Sequence, residues 1–258
     1  MDFLIVILLA LLGSCLSFFC GFGLGTLLLA AFLLYFPPEV AIAAAAVVHM
    51  LNNIFKLVLV GRHADMSIVR SFGALSVIGA LLGALCLGWI GHIGDLGHYH
   101  ILGHTLYING MNFTIGILIV GFAFLEILPR FKAIMIARPW LPVGGLLSGF
   151  FGGLTGQQGA LRSAFLMKAG LTKEAFIGTR VVCACLVDLT RLAVYGAIIG
   201  MAWMHANLYL VSAATLAAFT GAWLGNKWVK KMELAILNYI ITAALVVFGI
   251  LLASGMIG

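Results

Sequence analysis

The sequence predicts an all-α integral membrane protein built from two inverted five-element repeats, with about eight full transmembrane helices plus broken or re-entrant pairs. Three observations carry that expectation. Of 258 residues, 64% are hydrophobic and 9% charged, and the mean hydropathy is +1.19; a soluble domain is about half apolar and about a quarter charged. The apolar residues fall in continuous runs rather than in the alternating segments of a β-barrel. The features of the first half return in the same order in the second. This composition excludes a soluble globular enzyme, a disordered chain and a disulfide scaffold.

Ten elements follow from the runs. The first, 2–19, lacks a basic flank and is followed by further apolar runs, so it reads as a retained helix rather than a cleaved signal, although the stretch before Cys15 weakly resembles a lipoprotein cleavage site. The second, 22–36, is separated from it only by Gly21-Phe-Gly-Leu-Gly25. The third and fourth, 39–60 and 67–91, reach spanning length. The fifth, 106–128, follows an outside loop at 92–105 and carries Glu126. The sixth and seventh, 140–154 and 159–169, must enter and return within 30 residues, where two crossings need about 40. They break at Gly152-Gly-Leu-Thr-Gly-Gln-Gln-Gly159. Both short pairs read as re-entrant or broken helices whose tips meet inside the protein, because irregular backbone at membrane depth needs protein or a water-filled cavity around it. The eighth, ninth and tenth elements are 174–199, 207–226 and 233–254.

A shift of 135 residues aligns Gly21 with Gly156, Glu39 with Glu174, Asn53 with Asp188, Lys56 with Arg191 and Gly61 with Gly196. A shift of 142 then aligns Gly79-Ala-Leu-Leu-Gly83 with Gly221-Ala-Trp-Leu-Gly225. The expected division is a first transmembrane repeat over 1–128, a cytoplasmic linker over 129–139 and a second, inverted repeat over 140–258. Ten Lys/Arg fall in one set of loops: Arg62, Arg70, Arg130, Lys132, Arg138, Lys168, Lys173, Lys227, Lys230 and Lys231. The opposite loops hold none, so the positive-inside rule puts the basic set in the cytoplasm and both termini outside. That arrangement also explains the net charge of +6 without a nucleic-acid partner. The five cysteines sit in apolar runs and support neither a disulfide framework nor a zinc site.

Four cations remain inside the apolar runs, Lys56, Arg162, Arg180 and Arg191, against the acids Glu126 and Asp188. Charge inside a membrane is costly and usually functional, and an excess of cations favours an anionic substrate. His49, Asn52, Asn53 and Lys56 share one helical face. The alternative for Lys56 is that it snorkels to the interface. Arg180, Ala184, Val187 and Arg191 form a stripe on the eighth element, where Asp188 and Arg191 can pair, either as a substrate site or as a structural ion pair. Gln157, Gln158 and Arg162 stand at the second glycine turn, where a helix opens and its N-terminus favours an anion. Gly156 and Gly159 shape that turn; Gly21, Gly23 and Gly25, with Thr26, shape its counterpart. Together these residues constitute the candidate substrate-binding set. His92, His98, His100 and His104 in the outside loop are read as solvated, with a metal site as the alternative. No catalytic residue, metal or cofactor is assigned, and no phosphate-binding GKS/GKT loop is present.

These motifs resemble the sulfite exporter TauE/SafE family over nearly the whole chain. The residues that carry the resemblance are Gly21-Phe-Gly-Leu-Gly25, the His49–Lys56 face, and the second glycine turn with Asp188 and Arg191. It departs from the family's pattern in carrying Gln157-Gln158 at the second turn. The resemblance implies a small bacterial inner-membrane permease with duplicated halves, associated with export of sulfite, sulfoacetate or other small organic anions. The expectation is a secondary transporter of a small anion such as sulfite, an organosulfonate or a carboxylate, working by alternating access around a midplane site. An anion channel, or a membrane metalloprotein using the histidine loop, is the alternative. The expected partners are the anion, the lipid bilayer and protons as the candidate coupling ion; a homo-oligomer is an open arrangement. Arg191→Ala is expected to impair anion binding while leaving the protein folded.

Overall fold

The computed structural model describes residues 3–20, 23–101, 103–127, 138–167, 169–200, 207–228 and 235–257. Every apolar run becomes a helix. In chain order these are α1 (Leu4–Cys20), α2 (Leu24–Leu33), α3 (Pro38–Val60), α4 (Met66–Ile90), α5 (Gly110–Ile127), α6 (Leu141–Thr155), α7 (Gly159–Leu166), α8 (Lys173–Ile198), α9 (Leu208–Trp228) and α10 (Ala235–Ala253). Four described helices are long and apolar enough to cross a membrane: Pro38–His63, Met66–Ile90, Lys173–Ile198 and Leu208–Lys227. Gly110–Glu126 and Tyr239–Ala253 are apolar but shorter. The short pairs are as short as their sequence requires. Helices α6 and α7 have 15 and 8 residues, about 22 and 12 Å at 1.5 Å per residue, against a hydrocarbon core of about 30 Å.

Starts and stops have local causes. The Asp65 carboxylate accepts from the Ser67 and Ile68 amides at 2.9 and 3.1 Å and opens α4. Helix α4 then widens to a π-helical stretch over Val69–Gly73 before continuing from Ala74. Thr172 caps α8 through the Ala175 amide, and Pro38 stands in the first turn of α3, where its missing N–H costs nothing. The region read as an outside loop differs from expectation. An antiparallel hairpin, β1 (Asp95–Ile101) and β2 (His104–Asn109), occupies it, with Gly103 at φ +81° in the turn. Alternation in Thr105-Leu-Tyr-Ile favours a strand over the first turn of a helix. Asn109 then caps α5, accepting from the Met111 and Asn112 amides, so that helix begins at Gly110 rather than at 106.

Helix packing is governed by glycines that let backbones touch. A Cβ on Gly79 or Gly83 of α4 would collide with the carbonyl oxygens of Leu146 and Phe150 on α6. A Cβ on Gly221 of α9 would collide with the carbonyl of Leu11 on α1, and one on Gly225 would crowd Cys15. Helix α3 packs on α8, and α5 on α10, where Gly116 and Gly249 face each other. The buried apolar core is centred on α2 and the alanine-rich start of α3, with Leu28, Leu29, Phe32, Ile42 and Ala44 fully enclosed. The described loop cations Arg62, Arg70, Lys173 and Lys227 are exposed.

Candidate functional site

The two glycine turns meet. Gly156 ends α6 at φ +85°, in the left-handed region that glycine alone adopts without strain. A Cβ on Gly25 would come within 2.8 Å of the Gly156 carbonyl oxygen. Gly23 precedes α2 at φ +100°. Gly21, its predicted partner in the first turn, lies outside the described residues.

Around this junction the protein interior is charged. Lys56, Arg162, Arg180 and Arg191 are all buried, as is Asp188. Lys56 turns inward rather than out to solvent. Its Nζ donates to Ser17 Oγ at 2.7 Å. The orientation of the Asn52 amide that satisfies its neighbours turns its oxygen to Lys56 Nζ at 3.0 Å and its nitrogen to the Ala218 carbonyl at 3.1 Å. Both contacts hold the ammonium inside the protein.

Asp188 is a hub. Its Oδ2 lies 2.7 Å from His49 Nδ1 and accepts from Asn53 Nδ2 at 2.7 Å. Its Oδ1 accepts from Arg191 Nε at 3.0 Å and Nη2 at 2.8 Å, and from Gln158 Nε2 at 3.4 Å. Gln158 in turn accepts from Arg162 Nη1 at 2.7 Å through its side-chain oxygen, and from Ser148 Oγ at 3.1 Å through its carbonyl. The network runs from α3 through α8 and the second turn to α7. Arg191 also packs under the turn, where a Cβ on Gly156 would strike its guanidinium.

The cavity beside this network is lined by His49, Asn53 and Lys56 of α3, by Gln157 and Gly159 of the second turn, and by Arg162 of α7. Thr26 with Gly23 and Gly25 of the first turn, Glu126, Ser17 and Arg180 complete it. Its volume is about 30 Å³. At about 10–15 Å³ per water-sized sphere, that is room for two or three water-sized groups. Arg162 Nε and both side-chain polar atoms of Gln157 are buried with no protein hydrogen-bond partner among the described residues. Buried polar groups are nearly always paired, which sets these atoms apart from the rest of the lining. Thr26 Oγ1 donates to Glu126 at 3.3 Å, and Arg180 Nη2 donates to the Ser17 carbonyl at 3.3 Å.

The sequence-derived set thus divides. His49, Asn53, Lys56, Gln157 and Arg162 face the cavity, with Gly23, Gly25, Gly156 and Gly159 shaping it. Asn52, Gln158, Asp188 and Arg191 stand behind as the supporting layer. Ser17 is the member that sequence reasoning missed. A lone serine in an apolar run gives no signal, and only its contact with Lys56 reveals it. Arg180 and Glu126 were legible as charges in apolar runs, but their convergence on one cavity was not. In the hairpin, His98 and His100 meet edge to face at 5.8 Å on an exposed face. Among the described residues no group of three or more His, Cys, Asp or Glu could hold a metal ion.

The family described as Sulfite exporter TauE/SafE matches residues 6–252, nearly the full length. No curated protein and no solved structure matches the chain. The chain belongs to the sulfite exporter TauE/SafE family, whose members are membrane transporters rather than enzymes.

Proposed function

We propose that this protein is a secondary transporter that exports a small anion, such as sulfite, an organosulfonate or a carboxylate, from a bacterial cell by alternating access across the inner membrane. The observation that carries the reading is the cavity at the junction of the two turns. It gathers Lys56, Arg162 and Arg180 with unpartnered donors from Gln157 and Arg162. In this reading Lys56 and Arg162 attract the anion, Gln157 and Asn53 give it directional hydrogen bonds, and Asp188 with Arg191 positions His49, Asn53 and the Gln158 turn.

The repeats 1–128 and 140–258, joined by the linker 129–139, are the moving bodies of this reading. Two matched pairs of contacts and one hydrogen bond support their equivalence. Gly79 approaches Leu146 as Gly221 approaches Leu11, and Leu11 and Leu146 are themselves 135 apart. Gly83 and Gly225 approach Phe150 and Cys15, again 135 apart. Asn53 and Asp188, paired by the same shift, bond to each other. Inverted repeats that meet at broken helices are the usual frame for rocking access. Both termini are proposed to lie outside, and protons are the proposed coupling ion.

Flux in proteoliposomes tests this. Sulfite efflux that saturates, is blocked by excess unlabelled anion and responds to an imposed proton gradient agrees with the proposal. Efflux that rises linearly with concentration and ignores the gradient would instead identify a channel.

A further inference from the structure

A second cavity, of about 190 Å³, lies toward the hairpin end of the molecule, between the start of α3 and the ends of α4 and α8. Glu39, Leu87, Gly88, His92, Tyr195 and Ile198 line it. His92 leads directly into β1, so this vestibule opens on the side that carries the hairpin. The anion cavity extends the opposite way, toward Ile177 near the Lys173 end of α8 and toward Glu126 at the end of α5.

Both cavities are lined by one stripe of α8. Ile177, Arg180, Val181 and Ala184 face the anion cavity, and Tyr195, Ile198 and Ile199 face the vestibule. Their spacing is that of a single helical face. From Ala184 to Tyr195 the helix rises about 16 Å. Val187, Asp188 and Arg191 fill that interval, all at most 1% exposed. At the vestibule floor the Tyr195 ring is buried, and its hydroxyl donates to the Gly153 carbonyl, with Leu154 O a further 3.4 Å neighbour. These are last-turn carbonyls of α6, directly before the Gly156 turn that shapes the anion cavity.

We infer that Tyr195 is the gate residue between the vestibule and the anion cavity, its hydroxyl latching α8 to the carbonyl end of α6 and closing the path on the hairpin side. This rests on the alternating-access reading of the same site. Opening the path requires α8 and α6 to part at this latch. The phenol combines a ring that fills the floor with a hydroxyl that bonds the α6 carbonyls beside the Arg191 guanidinium. Loss of the hydroxyl should therefore shift the closed-to-open balance without removing the plug.

The test uses a background in which the native cysteines are replaced. Reporter His92→Cys, exposed and lining the cavity, marks the vestibule, and Val187→Cys marks the closed interval. A membrane-impermeant thiol reagent is applied from each side of sealed vesicles. His92→Cys should react from the hairpin side in every background. Val187→Cys should be protected from that side, and adding Tyr195→Phe should raise its reaction rate about two- to tenfold, the population change that one hydrogen bond of ordinary strength carries. Tyr195→Ala, which also removes the plug, should raise it further. If Val187→Cys reacts equally with and without both Tyr195 variants, or His92→Cys fails to react from the hairpin side, the inference is overturned. Sulfite binding by the parent protein is measured in parallel. Binding with no change in labelling sinks the gate alone, whereas the expected labelling without anion binding keeps the gated path and removes the anion-transport reading.

Discussion

Asp188 and Arg191 are the residues on which the interior turns. Arg191 is 1% exposed and Asp188 0%, and they are bound through two contacts of 3.0 and 2.8 Å. Removing one partner of such a pair leaves an uncompensated charge in a low-dielectric interior, a loss of about 3–5 kcal/mol. Arg191→Ala should therefore lower the thermal midpoint of the purified protein sharply, and Asp188→Asn combined with Arg191→Gln should recover part of it. This revises the sequence-based expectation that Arg191→Ala leaves the fold intact, because spacing alone showed that the two could pair but not that Arg191 supports a turn. Arg191→Lys should not substitute fully, since a lysine cannot offer the two parallel donors that Asp188 accepts. Lys56→Gln is the converse case. Its partners are Ser17 and Asn52, which a glutamine amide can still satisfy. The variant should fold and insert while anion affinity falls by about tenfold or more, the equivalent of about 1.4 kcal/mol, read by titration with sulfite.

At the scale of elements, the packing glycines separate from the permissive ones. Gly79→Ala would drive a methyl into the Leu146 carbonyl, and Gly221→Ala into that of Leu11. Each should cost about 1–3 kcal/mol by forcing the helices apart, and similar losses for the two would agree with equivalent repeats. Gly97→Ala meets nothing within 4 Å on the hairpin and should stay within about 0.5 kcal/mol of the parent. Thermal unfolding of the three proteins in one detergent separates these outcomes. Elements were the most legible level of this sequence. Long apolar runs bounded by glycine, proline or charge gave every helix, because in lipid the backbone must satisfy itself within the helix. The hairpin at 95–109 escaped because its histidines and glycines dilute the period-two signal that Tyr99, Ile101, Leu106 and Ile108 carry. The π-helical stretch at Val69–Gly73 had no signal at all. A Cβ on Gly145 of α6 would strike the Phe72 carbonyl within it, so close tertiary contact and widened helix coincide.

At the scale of the whole molecule, the chain is a bundle with a cationic centre and two cavities on opposite sides of one buried layer. The excess of buried Lys and Arg over Asp was readable from sequence, since charges in apolar runs stand out. Which of them face the cavity was not. That depends on how α7 and the turn at Gly156 fold back onto α3 and α8, a long-range outcome that helical periodicity does not encode. Asn52, Gln158 and Arg191 look equivalent to Asn53, Gln157 and Arg162 in the sequence, yet only the second three reach the cavity.

The central claim is that this cavity binds a small oxyanion. Thermal stabilisation of the purified protein by sulfite, sulfate, short sulfonates and short carboxylates, run beside Lys56→Gln, tests it most directly. An anion at about 100 times its dissociation constant should stabilise the parent by roughly 2.7 kcal/mol. The account predicts a shift selective among these anions that the variant largely loses. Equal stabilisation of parent and variant by every anion, or no shift with any of them, would contradict it.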